Sequence, residues 1–108
     1  MKLISFVETH EFTKKIVTLL TDEQLGKLQI LLCDNPEFGK LIKGSGGIRK
    51  IRWAAKGRGK SGGVRILYYW AASREKILFL DVYAKNEKES LSEIEIRLLR
   101  KIVTEFRQ

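Results

Sequence analysis

Two neighbouring runs of β-branched and aromatic residues constrain the fold of this chain more than any other feature. The first run, VRILYYWA, occupies Val64–Ala71, and the second, ILFLDVYA, occupies Ile77–Ala84. Only the segment Ala72–Lys76 separates them, which predicts two antiparallel strands joined by a hairpin turn. The segment IRKIRWA at Ile48–Ala54 predicts a further strand. We therefore expect these strands to form a small antiparallel sheet.

Helical patterns lie on both sides of these strands in the sequence. A short strand is predicted over Lys2–Glu8, and apolar residues then recur at helical spacing over Phe12–Cys33. The sequence TDEQ at 21–24 and Ser92 with Glu95 have the form of capping boxes, which start helices. We expect one helix to end near residue 20, a second to begin there, and a third over Ser92–Phe106. With 108 residues, residues 1–108 are expected to form a single α+β domain with the order β-α-α-β-β-β-α.

The positive charge of the chain is concentrated in its middle third. The formal net charge is +8, and no Asp or Glu occurs from Phe38 to Arg74. Ten cations lie in this segment: Lys40, Lys43, Arg49, Lys50, Arg52, Lys56, Arg58, Lys60, Arg65 and Arg74. A solubilising surface mixes charges of both signs, whereas a polyanion favours clustered cations because each neutralised phosphate releases counterions. The pattern therefore favours a nucleic-acid partner.

Several classes of protein are disfavoured by composition. The chain has one cysteine, Cys33, and one histidine, His10, too few ligands for a structural zinc site. No apolar run reaches the roughly 20 residues that a membrane-spanning helix needs. We expect a cytoplasmic protein without a metal or other cofactor.

The glycine-rich segment between the predicted strands Ile48–Ala54 and Val64–Ala71 resembles nucleotide-binding motifs. Gly57-Arg-Gly59-Lys-Ser-Gly62 matches GxGxxG, and its Gly-Lys-Ser resembles the end of a P-loop. Both motifs require a helix after the glycines, whose N-terminus meets the phosphates, but here a strand follows. We therefore predict a long hairpin loop whose cations bind nucleic acid. These cations are Lys56, Arg58 and Lys60.

Strand alternation predicts a basic face on the sheet. One consistent arrangement turns the aliphatic and aromatic sets, among them Leu78, Leu80, Val82 and Ala84, towards the helices. The opposite face then exposes Lys50, Arg52, Arg65, Tyr83 and Lys85. A sheet face that combines cations with an aromatic ring can hold a nucleic-acid strand. A single cation would more simply indicate a solvated strand, but four cations in phase on three neighbouring strands weigh against that interpretation.

If the protein is an enzyme, its chemistry must use Lys, Arg and Tyr, and cleavage of RNA permits that. The 2′-hydroxyl is the nucleophile, so neither a protein nucleophile nor an activated water is needed. Cations stabilise the pentacoordinate phosphate, and a lysine among other cations can transfer protons. A basic RNA- or DNA-binding module without catalysis, or a protein that binds an acidic partner, would carry the same patch.

Three segments give the chain a resemblance to a known family. GSGGIRKIRW at 44–53, GVRILYY at 63–69 and VYAKNE at 82–87 resemble the RelE superfamily of type II toxins, most closely its HigB-like branch. The resemblance implies a RelE-like fold and a metal-independent endoribonuclease that cleaves mRNA in the ribosomal A site. It also implies contacts with ribosomal RNA and inhibition by an antitoxin protein, which we expect to be a HigA-like helix-turn-helix protein.

The resemblance also implies the catalytic residues. Lys50 and Arg52 correspond to two basic residues on the second strand of RelE-type toxins, Arg65 to the arginine that opens the next strand, and Lys85 to the basic residue after the last strand. Many such toxins carry a catalytic tyrosine or histidine near the C-terminus, where this chain has Leu91. Tyr83 is a candidate replacement.

Overall fold

The computed structural model describes residues 3–53, 63–88 and 90–108. Its elements are β1 (Ser5–Glu8), α1 (His10–Leu19), α2 (Asp22–Asp34), β2 (Lys40–Leu41), β3 (Ile48–Trp53), β4 (Val64–Ala71), β5 (Lys76–Ala84) and α3 (Glu93–Arg107). The expected α+β class is confirmed. The expected order lacked only β2, which has two residues and is too short to produce an alternating pattern. No helix in the described part of the chain is long and apolar enough to span a membrane.

The five strands form one mixed sheet in the order β1-β5-β4-β3-β2. The pairs β2–β3, β3–β4 and β4–β5 are antiparallel, as expected for the three long strands. The first strand pairs with β5 in the parallel direction, from Ser5 opposite Lys76 to Glu8 opposite Phe79. The chain therefore places its first strand beside its last, with β4 on the other side of β5.

Side-chain caps set the helix starts that the sequence predicts. Thr21 accepts from the backbone N–H of Gln24, whose side chain accepts from the Thr21 N–H, so the capping box is complete. Ser92 and Glu95 form the second one at the start of α3. Each box satisfies N–H groups that have no partner within the helix.

The helices lie on both faces of the sheet. Phe12 of α1 and Leu28 of α2 pack with Ile66 and Phe79 on one face, where the rings of Phe12 and Phe79 stack at 4.7 Å. On the opposite face, Val103 of α3 is buried in a second core, whose strand residues are Ile48, Leu67, Leu78, Leu80 and Tyr83. The expectation of one helix-covered face and one open basic face is therefore wrong, because α3 covers part of the basic face.

A β-bulge in β5 explains part of this difference. Leu67 pairs with Asp81, but the next residue, Tyr68, pairs with Phe79, so Leu80 is an extra residue on β5 and the alternation changes phase. Leu78 and Leu80 pack in the α3 core, whereas Val82 and Ala84 pack beneath α1 and α2. The expectation that these four side chains share a face is wrong.

Candidate nucleic-acid interface

The cations of the central strands form a row across the sheet. Arg52 of β3 pairs with Arg65 of β4, and Arg65 pairs with Tyr83 of β5. Lys50 lies two residues before Arg52 on the same strand and therefore on the same face. The prediction that Arg52 and Arg65 lie in phase on adjacent strands is confirmed.

The three cations of this row line an open cleft of about 570 Å³, to which no residue of α3 contributes. The cleft is lined by Phe38, Gly39, Lys40, Lys50, Ile51, Arg52 and Arg65. The sequence placed Lys40 only in the acid-free segment and gave no role to Phe38, whose ring is half exposed. The aromatic ring that lines the cleft is thus Phe38, on the loop before β2.

Two side chains of the sheet fix this loop. The buried Tyr68 hydroxyl donates to the carbonyl of Pro36 at 2.7 Å and accepts from the N–H of Gly39 at 2.9 Å. Arg49 donates to the carbonyls of Glu37 and Gly39 at 3.0 and 2.8 Å. A Cβ atom on Gly39 would lie 2.9 Å from the Tyr68 ring, so only glycine allows this approach. Arg49, one of the ten cations of the segment, therefore serves the fold.

Burial also keeps the Tyr68 hydroxyl protonated, which its bond to the carbonyl of Pro36 requires. Burial raises the pKa of the phenol above its ordinary value of 10.0, an effect that the bond from Gly39 and the charge of Arg49 oppose. The protonated hydroxyl is the form that donates to a carbonyl. The hydroxyl therefore stays protonated at physiological pH and keeps its bond to the carbonyl of Pro36.

The cations of the cleft have no acidic partners in the part of the chain that the structure describes. The ion pairs there involve the cations Lys15, Lys27, Arg49 and Lys88. Asp81, the acid nearest to the row on β5, binds Lys15 of α1 at 2.9 Å. Asp81 therefore forms its ion pair with the helix α1 and not with Arg65. Unneutralised cations that share a cleft attract a polyanion.

Tyr83 does not stand exposed beside these cations, as the strand pattern predicted. Its side chain is 2% exposed and packs in the α3 core with Leu67 and Val103. The ammonium group of Lys88 lies 4.8 Å from the centre of its ring, and α3 covers the face on which a base would stack. The expected exposure of this ring is wrong, because the sequence pattern does not reveal that α3 packs here. Its contact with nucleic acid stays a prediction.

The hydroxyl of Tyr83 has no hydrogen-bond partner among the described residues. Burial raises the pKa of this phenol above 10.0; the charge of Arg65 opposes the shift, whereas Glu95 and Asp81 add to it. The group is therefore a neutral phenol at physiological pH. Such a group can donate a proton but is poorly suited to accept one.

The remaining predicted residues are placed as follows. Lys85 directly follows β5, and its backbone N–H donates to the carbonyl of Gly63 at 3.1 Å; its side chain is not among those that line the cleft. Leu91 packs at the edge of the α3 core. The strand β4 begins at Val64, which confirms that no helix follows the glycines. Lys56, Arg58 and Lys60 lie outside the described residues.

Comparison with known proteins identifies the family. The model of the RelE family, described as the RelE toxin of the RelE/RelB toxin–antitoxin system, matches residues 39–108, which is more than half of the chain. The matched segment begins at the cleft wall and contains all the cations of the cleft.

Solved structures from E. coli share the fold. A RelE toxin mutant with two arginines replaced by alanine, in the free state, matches with a TM-score of 0.59 and 20% identity, over 80% of this chain and 87% of that chain. The isolated RelE toxin matches with a TM-score of 0.56 and 21% identity, over 93% and 99%. A chain of the intact RelBE toxin–antitoxin complex matches with a TM-score of 0.56 and 21% identity, over 74% of this chain and 94% of that chain. The HigB-like branch stays a prediction, but on the match to the family model the chain belongs to the RelE toxin family.

Proposed function

We propose that the protein is the toxin of a type II toxin–antitoxin system and acts as a ribosome-dependent endoribonuclease that cleaves mRNA in the A site. The observation that carries the proposal is the cleft in which Lys50, Arg52 and Arg65 converge from two adjacent strands without a described acidic partner. Family membership supports the same reading. We expect the protein to act in the cytoplasm.

The reaction needs no nucleophile from the protein, but it needs groups that stabilise the negative charge on the phosphorane. The 2′-hydroxyl attacks the adjacent phosphorus, loses its proton, and the 5′-oxygen leaves as that bond breaks and takes up a proton. The negative charge on the phosphorane grows between these two events. Guanidinium groups of Arg52 and Arg65 hold non-bridging oxygens best in that state, since a planar fork binds two oxygens at once. Lys50 and Lys85 are the candidates for the proton transfers.

The residue set supports the proposed dependence on the ribosome. Among the described residues no group of His, Cys, Asp and Glu could hold a metal ion, and the chain has a single histidine. We infer that the 2′-hydroxyl must be placed in line with the leaving oxygen by the ribosome, because such positioning supplies a large part of a rate enhancement.

The test compares free mRNA with the same mRNA on programmed ribosomes. We expect cleavage at the A-site codon only on ribosomes, and an Arg65→Ala variant that binds ribosomes without cleaving serves as the control. Rapid cleavage of free RNA at physiological salt would contradict the dependence on the ribosome. Binding of RNA without cleavage in either setting would favour a non-catalytic nucleic-acid-binding module.

We also propose that a cognate antitoxin inhibits the protein. The support is family membership and the existence of the intact E. coli RelBE complex, whose toxin shares this fold. A HigA-like helix-turn-helix antitoxin is the expected type. Co-expression tests this: growth arrest on induction of the chain alone, and its relief by the antitoxin, are the expected results.

A further inference from the structure

Phe38 presents an aromatic ring at the basic cleft without a stacking partner among the described residues. Its side chain is 50% exposed and lines the cleft. The described ring contacts involve other aromatic residues, and the two described cations that lie over rings cover Phe106 and Tyr83. One exposed apolar side chain is common on a protein surface, so the surroundings of this ring determine whether it has a role.

The strand pairing brings Phe38 to the end of the sheet where the row of cations lies. Lys40 of β2 pairs with Lys50 of β3 in the antiparallel direction. Phe38 precedes this pair by two residues on its segment, and Arg52 follows it by two residues on β3, so both lie towards the same end. Arg52 in turn pairs with Arg65 of β4. The ring and the cations therefore line one cleft.

Hydrogen bonds on both sides of Phe38 hold the loop that carries it. Its own N–H donates to the carbonyl of Asn35 at 3.1 Å. The next residue, Gly39, donates to the buried hydroxyl of Tyr68, and Arg49 donates to the carbonyls of the residues before and after Phe38. Because the backbone is fixed in this way, a ligand that stacks on the ring orders little more than two side-chain torsions, which keeps the entropic cost of binding low.

An exposed ring beside unneutralised cations fits a single-stranded nucleic acid. The cations bind phosphates, and the ring can stack on any nucleobase because every base has a π face. An acidic peptide would use the cations but would have no group that requires the ring. The cleft volume of about 570 Å³ lies within the range of about 300–1,000 Å³ that is usual for small-ligand sites. The cleft can therefore take one nucleotide of a longer strand.

We propose that Phe38 is a stacking platform for one nucleobase of the strand whose phosphate the row of cations binds. The identity of that strand as mRNA in the A site rests on the proposed function, whereas the platform rests on the cleft itself. Stacking on Phe38 fixes the register of the strand in the cleft, and so determines which phosphate meets Arg52 and Arg65.

The experiment measures binding of two labelled ligands to the full chain by fluorescence anisotropy at low ionic strength. The first is a short single-stranded DNA, which lacks the 2′-hydroxyl and so cannot react; the second has the same sugar–phosphate backbone with every base removed. We expect wild type to bind the first ligand more tightly. Phe38→Ala should weaken binding of the first ligand by about fivefold or more, the loss expected for one stacked base, and should leave binding of the second unchanged.

Further variants separate stacking from other causes. Phe38→Tyr keeps a flat ring and should bind like wild type, whereas Phe38→Leu keeps an apolar side chain without a ring and should bind like Phe38→Ala. Leu41→Ala is the matched control, because Leu41 is 61% exposed on β2 and does not line the cleft; it should bind both ligands normally. Arg52→Ala should weaken binding of both ligands, since it removes a phosphate contact.

Four outcomes would overturn the proposal. The first is unchanged binding of the base-containing ligand by Phe38→Ala. The second is an equal loss for both ligands in Phe38→Ala, which would mean that the ring only supports the cations. The third is normal binding by Phe38→Leu, which would assign the effect to apolar contact without stacking. The fourth is wild-type protein that shows no preference for the ligand with bases.

Cleavage of mRNA on ribosomes is measured separately with wild type. A loss in Phe38→Ala that depends on the bases, without any cleavage by wild type, would leave the platform standing and remove the proposed nuclease activity. Cleavage by wild type, with no effect of Phe38→Ala on binding of the base-containing ligand, would remove the platform alone.

Discussion

Replacing Arg65 separates catalysis from folding more sharply than any other change in the cleft. Its guanidinium group lies in the row with Arg52 and forms no ion pair with a described residue. If it holds phosphorane oxygens, Arg65→Ala removes one preformed donor group, which costs about 10²–10³ in the rate of the chemical step, or about 2.7–4 kcal/mol. Arg65→Lys should recover only part of this loss, since an ammonium group cannot bind two oxygens in a planar fork.

The same change should have little effect on stability. Away from buried networks, substitutions alter the free energy of unfolding by about 0.5 kcal/mol or less, and about 1 kcal/mol shifts the melting temperature of a domain of this size by roughly 4–8 °C. We therefore expect a shift of at most about 4 °C for Arg65→Ala. Arg49→Ala is the control, because Arg49 donates to two backbone carbonyls of the cleft wall and binds Glu37. Arg49→Ala should lower the melting temperature by more than Arg65→Ala does.

The assay is single-turnover cleavage of mRNA on ribosomes saturated with toxin, with thermal unfolding measured on the same preparations. Saturation removes any effect on binding, so the rate reports the chemical step. Normal single-turnover cleavage by Arg65→Ala would refute the assigned role, as would complete rescue by Arg65→Lys. A large fall in melting temperature with normal cleavage by the folded fraction would assign Arg65 to the fold.

Three further predictions concern groups other than Arg65 and its control, Arg49. Tyr83→Phe removes a buried hydroxyl that has no described partner, so chemical denaturation should show unchanged stability or a gain of about 1 kcal/mol; a loss of that size would show that the hydroxyl is hydrogen-bonded. The pKa of Glu95 is lowered from 4.5, first by the hydrogen bond from Lys88 and then by the backbone N–H of Ser92. Because the folded-state pKa is the lower one, the stabilisation is present above pH 4.5 and is lost as the pH falls through the folded value. Glu95→Gln keeps the cap but not the ion pair, so its unfolding free energy should fall less steeply with acid; identical acid profiles would contradict this. Exchanging all three loop cations for alanine should flatten the salt dependence of ribosome binding without changing the melting temperature, and an unaltered slope would exclude phosphate contacts. These cations are Lys56, Arg58 and Lys60.

Features that depend on neighbours in the sequence were predictable from the sequence alone. The capping boxes at Thr21 and Ser92 arise from interactions within a few residues. The long strands β3, β4 and β5 were predictable because each segment is itself rich in β-branched and aromatic residues. The phase of Arg52 and Arg65 was also predictable, because alternation along each strand and a hairpin connection leave few choices of register. These local rules predicted the fold class and three of the seven residues that line the cleft, namely Lys50, Arg52 and Arg65.

The tertiary structure decided what the local rules leave open. The extra residue Leu80 changes the phase of β5, and α3 packs on the face that carries the cations, so Tyr83 is buried where the pattern predicts exposure. The cleft wall depends on Tyr68 and on the carbonyl of Pro36, which are 32 residues apart. Alternation tells which residues share a face but not which element covers it. That choice is made by burial of apolar surface between segments far apart in sequence, which no local pattern encodes.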